Sequence, residues 1–247
     1  MSNLAEQQGI QFETNLRQVV NRFQALIIKT ARSGYMFSVN ADERIRYAPE
    51  LYSGLVDALQ QSGYLSLVSD LIEQDRELIA EVKSLRTAKG LPTQFSKQSS
   101  EALAAFQNLE FAQFQNISTG FVNSLHQELM NYALTGVDEA VFIESIRNML
   151  ESKLQKYATT YAYTSRAKWI QQVQDEAAKN YDDELFWEYV GPEDDRTRDA
   201  CIEGLNQQYF TDAERMEFEA RTADERAWNC RHVFVQITKE DYEKGIK

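Results

Sequence analysis

Apolar residues recur at intervals of three, four and seven positions through roughly the first 180 residues of the chain. This interval places them on one face of an α-helix, so the pattern is typical of helices with a single buried stripe. Three prolines in the whole chain leave long windows free of the residue that disrupts helix interiors. The first window, residues 4–33, is predicted to be one helix whose buried stripe contains Ile10, Leu16, Val19, Val20, Phe23, Leu26 and Ile27.

Further helical windows follow a break at residues 34–40. Three of them end near a glycine, the residue most often found just beyond a helix C-terminus. The clearest stop signal is Lys89-Gly-Leu-Pro92, where a proline closely follows the glycine. Gly63 and Gly136 mark the other two ends. We therefore predict helices over residues 51–62, 65–89, 98–134 and 142–179.

The pattern changes near residue 181, where short aromatic and β-branched segments replace the helical spacing. The segment from Leu185 to Val190 stops at Gly191-Pro192 and is predicted to be a strand. A second strand is predicted over residues 231–238, because Val233, Val235 and Ile237 alternate along it.

A capping box is predicted between these strands, at Thr211-Asp-Ala-Glu214. The threonine hydroxyl and the glutamate carboxylate can accept hydrogen bonds from backbone amides that the first turn of a helix leaves free. We expect this helix to run to about Glu219. The predicted fold class is therefore mainly α, with long N-terminal helices followed by a small α+β C-terminal domain.

Composition and charge restrict the possible partners. The chain has 247 residues, of which 43% are hydrophobic and 26% are charged, as in ordinary globular proteins. Its net charge of −12 disfavours a basic nucleic-acid groove and favours protein partners. The N-terminal residues 1–9 are polar and do not resemble a signal peptide, and we find no apolar stretch of about 18 residues. We expect synthesis in a cytoplasm, no membrane association and reduced cysteines.

The only two cysteines lie in the last fifty residues, close to one of the two histidines. If Cys230 begins a strand, its side chain and that of His232 share a face, because strand side chains alternate. Cys201, Cys230 and His232 can supply three ligands to Zn²⁺, with Asp195 or Asp199 as a fourth. Paired C-x-x-C motifs are absent, so the sequence favours the plainer interpretation of two buried cysteines and a hydrogen-bonded histidine that pack the domain.

A catalytic centre is not predicted. Cys230 with His232 as its base would be a nucleophile pair, yet the sequence indicates neither a third orienting residue nor an oxyanion arrangement. His126 falls in a predicted helix, as a surface or helix–helix contact. The common nucleotide-binding and hydrolase motifs, such as G-x-x-x-x-G-K-[ST] and H-E-x-x-H, do not occur.

The C-terminal motifs, in order, are Tyr189-Val-Gly191, Asp195-Arg-Thr-Arg198, Cys201, Tyr209-Phe-Thr211 and Asn229-Cys-Arg-His232. This order resembles the phage head-morphogenesis family, the phage Mu F-like minor head proteins. The resemblance covers about residues 140–247 and implies a head-morphogenesis-like α+β domain, with a long leading helix, over residues 139–247. The helical N-terminal region over residues 1–138 is predicted from the hydrophobic periodicity alone. The residues that carry the resemblance are Asp195, Arg196, Arg198, Cys201, Asn229, Cys230, Arg231 and His232.

Two positions depart from the family's pattern. Family members usually carry a threonine–glutamate pair in the leading helix, where this chain has Thr164-Ser-Arg166. A histidine often follows the D-x-R-T-R segment, where this chain has Cys201. The second departure keeps a possible metal ligand in place and therefore bears on which ion, if any, the chain holds.

The resemblance implies a minor structural protein of a tailed-phage head that acts in head morphogenesis at or near the portal vertex and aids DNA packaging or ejection. The implied partners are portal and capsid proteins, and a homo-oligomer is also compatible with it. Its place would be the virion head or neck, and the host cytoplasm during assembly. The net charge does not support contact with genomic DNA. We expect no enzyme activity and no cofactor, apart from Zn²⁺ as a candidate ligand. The alternatives are a transient scaffold and a small metal-dependent nuclease that uses Cys201, Cys230 and His232.

Overall fold

The computed structural model describes residues 2–33, 36–179, 181, 183–228 and 230–246. It confirms a mainly α chain with a small antiparallel sheet near the C-terminus. A π-helical turn, Leu150–Gln155, directly joins the helix Glu139–Met149 to the helix Lys156–Ala178. The helices that precede the sheet are α1 (Ser2–Ser33), α2 (Ala41–Ser62), α3 (Tyr64–Glu73), α4 (Asp75–Ala88), α5 (Lys97–Thr135), α6 (Glu139–Met149) and α7 (Lys156–Ala178).

The helix ends follow local chemistry. Asn40 begins α2 because its side chain accepts a hydrogen bond from the backbone amide of Asp42 at 3.0 Å. Gly63, Gly90 and Gly136 follow helix ends at φ values of 86°, 70° and 74°, a left-handed conformation that costs glycine little. The three predicted stop signals are therefore confirmed.

Two predicted helices differ from the structure. The window over residues 65–89 is divided into α3 and α4 at Gln74, whose carbonyl accepts hydrogen bonds from the backbone amide of Glu77 at 3.0 Å and from the side chain of Gln8 at 3.3 Å. Helix α2 begins at Ala41, ten residues before the predicted start, and contains Pro49. Proline there removes one amide donor, which the rest of this helix tolerates. The π-helical turn was not predicted from the sequence.

The chain forms two compact units, neither of which is one continuous stretch. Unit 1 consists of Met1–Ile10, Leu71–Glu110 and Thr160–Lys247, and unit 2 of Gln11–Asp70 and Phe111–Thr159. Helices α1, α5 and α7 each contribute residues to both units. The division into compact units therefore differs from the predicted division between residues 138 and 139.

Unit 2 is a helical unit with an aromatic core. The rings of Phe12 and Phe114 lie 5.4 Å apart, and those of Phe23 and Phe121 lie 6.0 Å apart. The hydroxyl of Tyr64, which is fully buried, donates to the carbonyl of Phe114 at 3.3 Å. These contacts pack α1, α3 and α5 within the unit. The prediction of Ile10 as a buried residue of α1 is wrong, because that residue is 51% exposed and the buried face passes through Phe12 instead. Leu26 is only partly buried, and the buried members of the predicted stripe are Leu16, Val19, Val20, Phe23 and Ile27.

Unit 1 contains the sheet, whose strand order is β2-β1-β3 with both pairs antiparallel. The strands are β1 (Phe186–Val190), β2 (Tyr209–Thr211) and β3 (Val233–Ile237). Three helices accompany them: α8 (Asp199–Gln207), α9 (Asp212–Arg226) and α10 (Lys239–Gly245).

Both predicted strands are present, and the capping box at Thr211 and Glu214 is formed as predicted. Helix α9 continues past the predicted end at Glu219 to Arg226, and β2 was not predicted. Strand β3 begins at Val233 rather than residue 231, because its pairing with β1 ends at the Val190–Val233 pair.

Both faces of the sheet are covered. Val233 and Val235 belong to a core cluster with Leu78, Val82 and Trp169 of the helices of unit 1. The opposite face belongs to an aromatic cluster made of Trp187, Tyr189, Phe210, Phe218 and Phe234, together with Ala178. In the part of the chain that the structure describes, no helix has the length and apolar character needed to span a membrane.

Candidate metal centre

The two cysteines and His232 come together in unit 1. Cys201 lies in α8, and Cys230 and His232 lie in the segment between α9 and β3. One ligand atom from each side chain lies within 4.8 Å of the others. The sulfur atoms of Cys201 and Cys230 are 3.8 Å apart. The predicted trio is thus a spatial cluster, although Cys230 precedes β3 and the strand alternation that we used to group it with His232 does not apply.

The imidazole of His232 is held tightly. Its Nε2 lies 2.9 Å from the carbonyl oxygen of Pro192, and its ring stacks on Tyr189 at 5.4 Å between centroids. Gly191 lies against the same ring, since a Cβ added there would be 2.2 Å from Cδ2. The other nitrogen, Nδ1, is buried and has no hydrogen-bond partner among the described residues. That nitrogen is therefore the one available as a ligand.

The two thiols are not equivalent. A hydrogen bond from Cys201 lowers the pKa of Cys230, and the nearby Arg226 guanidinium acts in the same direction. The same hydrogen bond, together with burial, raises the pKa of Cys201. A lowered pKa favours the thiolate, which is the form of cysteine that binds metals and reacts with electrophiles.

The D-x-R-T-R segment contacts the residues on either side of this cluster. Asp194 accepts two hydrogen bonds from Arg231, at 2.8 and 2.5 Å, and its pKa is lowered by this pairing. Arg198 donates to the backbone carbonyls of Glu225 and Trp228, at the end of α9 and just beyond it. The segment thus binds both sides of the connection that carries Cys230.

Several sequence-based expectations about this region need correction. Asp195 and Asp199 are exposed and do not belong to the group of metal-ligating side chains, so the predicted fourth carboxylate ligand is wrong. The acidic residue that pairs with the motif is Asp194, one position before the one we selected. Asn229 lies outside the described residues. His126 contacts the ring of Tyr52 at 5.2 Å, in line with the predicted helix contact.

Sequence reasoning also missed the residues that position the cluster. Gly191 and Pro192 were used as the end of a strand, and Gly191 also as part of a family motif, yet Gly191 contacts the imidazole and the carbonyl of Pro192 accepts a hydrogen bond from its Nε2. Arg226 was not selected at all. A glycine–proline pair carries no signal for a histidine 40 positions further along the chain.

A second polar cluster in unit 1 is made only of helical residues. Arg166 of α7 donates to Asp75 of α4 and to both carboxylate oxygens of Glu110 of α5, the latter at 3.1 and 3.3 Å. All three side chains are at most 2% exposed. Burial raises the pKa of Glu110 to about 7 against the opposing effect of Arg166. Gln107 donates to the other oxygen of Asp75 at 2.9 Å.

Comparisons with known proteins identify no relative. No family model matches the chain, and neither the curated proteins nor the solved structures contain a significant match. The resemblance to head-morphogenesis proteins therefore stays a prediction from the sequence motifs.

Proposed function

We propose that this chain is a minor structural protein of a tailed-phage head, acting in head morphogenesis at or near the portal vertex. The observation that carries the proposal is that the motif segments meet in three dimensions. Cys201 contacts Cys230, Arg198 binds the end of α9, and Arg231 pairs with the residue before Asp195. Segments about thirty residues apart thus form one connected site, which supports the proposal.

Burial of the cluster supports a structural role in preference to catalysis. Cys201 is 2% exposed and His232 is 4% exposed, so a substrate does not reach them without rearrangement. The nitrogen Nε2 of His232 is engaged with a backbone carbonyl and is not free to act as a base. These contacts hold the segments of the domain together.

The main test is to quantify this chain in purified, DNA-filled particles of the phage or prophage that encodes it. Mass spectrometry with portal and major capsid peptides as internal standards gives the copy number. A ratio close to that of the portal, or a few copies per particle, supports the proposal. Co-purification of the chain with the portal protein would then identify its neighbour.

The same preparation separates the two alternatives. Presence in empty precursor heads combined with absence from filled particles would identify a transient scaffold and contradict the proposal. Absence from both, with Cys230-dependent and metal-dependent cleavage of DNA by the purified chain, would instead identify a nuclease. Cys230→Ser is the variant for that assay, and His126→Ala, which alters the histidine outside the cluster, is its control.

A further inference from the structure

We propose that Cys201, Cys230 and the Nδ1 atom of His232 bind a Zn²⁺ ion that fastens α8 to the segment before β3. This inference concerns the folded domain itself and does not depend on a role in a phage head. Three observations of the site carry it: the separation of the sulfur atoms, the state of the imidazole and the origin of the ligands in the chain.

The separation of the sulfur atoms fits a shared metal. Zinc binds thiolate sulfur at about 2.3 Å in a tetrahedral arrangement, which puts two such sulfurs about 3.8 Å apart. The Sγ atoms of Cys201 and Cys230 are 3.8 Å apart in the structure. A disulfide requires a separation of about 2.05 Å, so its formation needs a movement of nearly 2 Å. The separation of the two sulfur atoms therefore favours coordination of one metal ion over a disulfide bond.

The imidazole is arranged as in metal-binding histidines. Such residues usually give their second ring nitrogen to a carboxylate or a backbone carbonyl, which fixes the tautomer and the orientation of the ring. In His232 the Nε2 atom donates to the carbonyl of Pro192 and Nδ1 is left buried without a partner. A buried polar atom without a partner costs free energy. Coordination of zinc would remove this cost.

The ligands come from two separate parts of the chain. Cys201 lies in the first turn of α8, and Cys230 and His232 follow α9 in an extended segment. A metal held by all three ties the segment to the helix, in addition to the hydrogen bonds from Arg198. The described residues supply no carboxylate to the group, so we assign the fourth coordination position to a water molecule.

The experiment uses the full chain, purified under reducing conditions from cells grown with added zinc. Elemental analysis is expected to find about one zinc per chain. Replacement of zinc by Co²⁺ is expected to give thiolate-to-cobalt charge-transfer bands in the near ultraviolet and the intense visible bands of tetrahedral cobalt. Removal of the metal with a chelator is expected to lower the melting temperature by several degrees, and added Zn²⁺ to restore it.

Matched variants locate the site. Cys201→Ser, Cys230→Ser and His232→Ala are each expected to lose the bound metal, with at least a tenfold loss of affinity. His126→Ala removes the chain's other histidine and is expected to keep a full equivalent of zinc. If a cluster variant does not fold, the cobalt spectrum and the chelator experiment on the unaltered chain still decide the question.

Specific results would overturn the inference. If the unaltered chain retains no zinc and gives no charge-transfer bands with Co²⁺, the three side chains bind no metal and only pack the domain. A mass two hydrogens lower under non-reducing conditions, with loss of both free thiols, would identify a disulfide. These results would leave the particle measurement untouched, so failure of the zinc site and failure of the phage-head proposal are distinguishable.

Discussion

The two polar clusters of unit 1 provide partners for their buried polar groups in different ways. The Cys201–Cys230–His232 cluster lies at the end of strands and helices, where the backbone carbonyl of Pro192 accepts a hydrogen bond from His232 and Asp194 pairs with Arg231. The Arg166 cluster lies wholly inside helices and places two carboxylates on one guanidinium. The Cys201–Cys230–His232 cluster is formed by motif segments that meet in space, and it is the candidate site for a ligand. The Arg166 cluster is closed and carries an excess negative charge that only a proton can neutralise.

The largest expected effect comes from removing the cation of the closed cluster. Arg166→Met keeps most of the side-chain volume but leaves Asp75 and Glu110 buried without a counter-charge. Removal of one partner of a buried ion pair lowers the free energy of unfolding by about 3–5 kcal/mol. We expect the loss to be greater at pH 8 than at pH 5, because protonation of the carboxylates relieves it. Urea denaturation at both pH values measures the free energy of unfolding.

The control for that variant is Arg147→Met, which removes an exposed arginine that pairs with Glu144 at 3.1 Å on the same helix. Exposed pairs contribute less than about 1 kcal/mol. Equal losses in the two variants would show that the buried cluster is not the source of the effect.

The next effect is a pH dependence due to Glu110. Its pKa is raised to about 7 in the fold, from an ordinary value of 4.5, chiefly by burial, while Arg166 on α7 opposes the rise and Asp75 on α4 adds to it. The folded state therefore binds more protons than the unfolded state between about pH 4.5 and 7. The stability contributed by Glu110 is complete below that range and falls as the pH rises through it, by at most about 3 kcal/mol.

Glu110→Gln tests this dependence, because an amide cannot take up the proton. We expect the slope of unfolding free energy against pH to flatten between about pH 4.5 and 7, and the variant to match or exceed the original chain at pH 8. Glu101→Gln, on the exposed side of the same helix, should keep the original slope. An unchanged slope in the Glu110 variant would contradict the assigned charge state.

A smaller effect is expected at the open cluster from Gly191→Ala. The added Cβ would come within 2.2 Å of the His232 ring, so the imidazole must move. Overpacking of this kind costs about 1–3 kcal/mol. It should also reduce cobalt binding, since the ring carries a proposed ligand atom. Thermal unfolding and the cobalt spectrum measure the two consequences.

Gly120→Ala is the matched control, because a Cβ at that position in α5 meets nothing within 4 Å. Alanine inside a helix is favoured over glycine by about 0.5–1 kcal/mol. We therefore expect this substitution to stabilise the protein slightly and to leave cobalt binding unchanged.

The smallest expected effect is the loss of the Asp194–Arg231 pair. Asp194→Asn removes a charge from a bidentate pair that is partly open to solvent, so we expect a slight drop in melting temperature at low salt that disappears at high salt. Asp195→Asn alters the exposed neighbour and should not show this salt dependence. If both variants behave alike, the pair contributes nothing specific to the cluster.

Much of the local structure was predictable because it depends on short-range chemistry. The stripe of α1, the glycine stops at Gly63 and Gly136, and the capping box at Thr211 each rest on residues within a few positions of one another. The errors arose where distant contacts decide. The division of a predicted helix at Gln74 coincides with a hydrogen bond from the distant Gln8, and the short strand β2 exists only because it pairs with β1.

The candidate sites show the same limit. Clustering of Cys201, Cys230 and His232 was a hypothesis from three unusual residues, and the structure brings them within 4.8 Å. The choice of Asp195 or Asp199 as a fourth ligand was wrong because both side chains lie in solvent. Arg166 was noted only as a departure from a family pattern. Its carboxylate partners lie 91 and 56 positions away, and no local pattern links them.

The sequence by itself determined the class of fold, the positions of most helices and the residues able to bind a metal, because periodicity, capping and ligand chemistry are properties of the chain. Only the tertiary structure decided which nitrogen of His232 is free, which aspartate pairs with Arg231, and that one arginine serves two buried carboxylates. Each of these depends on the packing of distant segments, where burial and hydrogen bonding select one partner among several that the sequence permits.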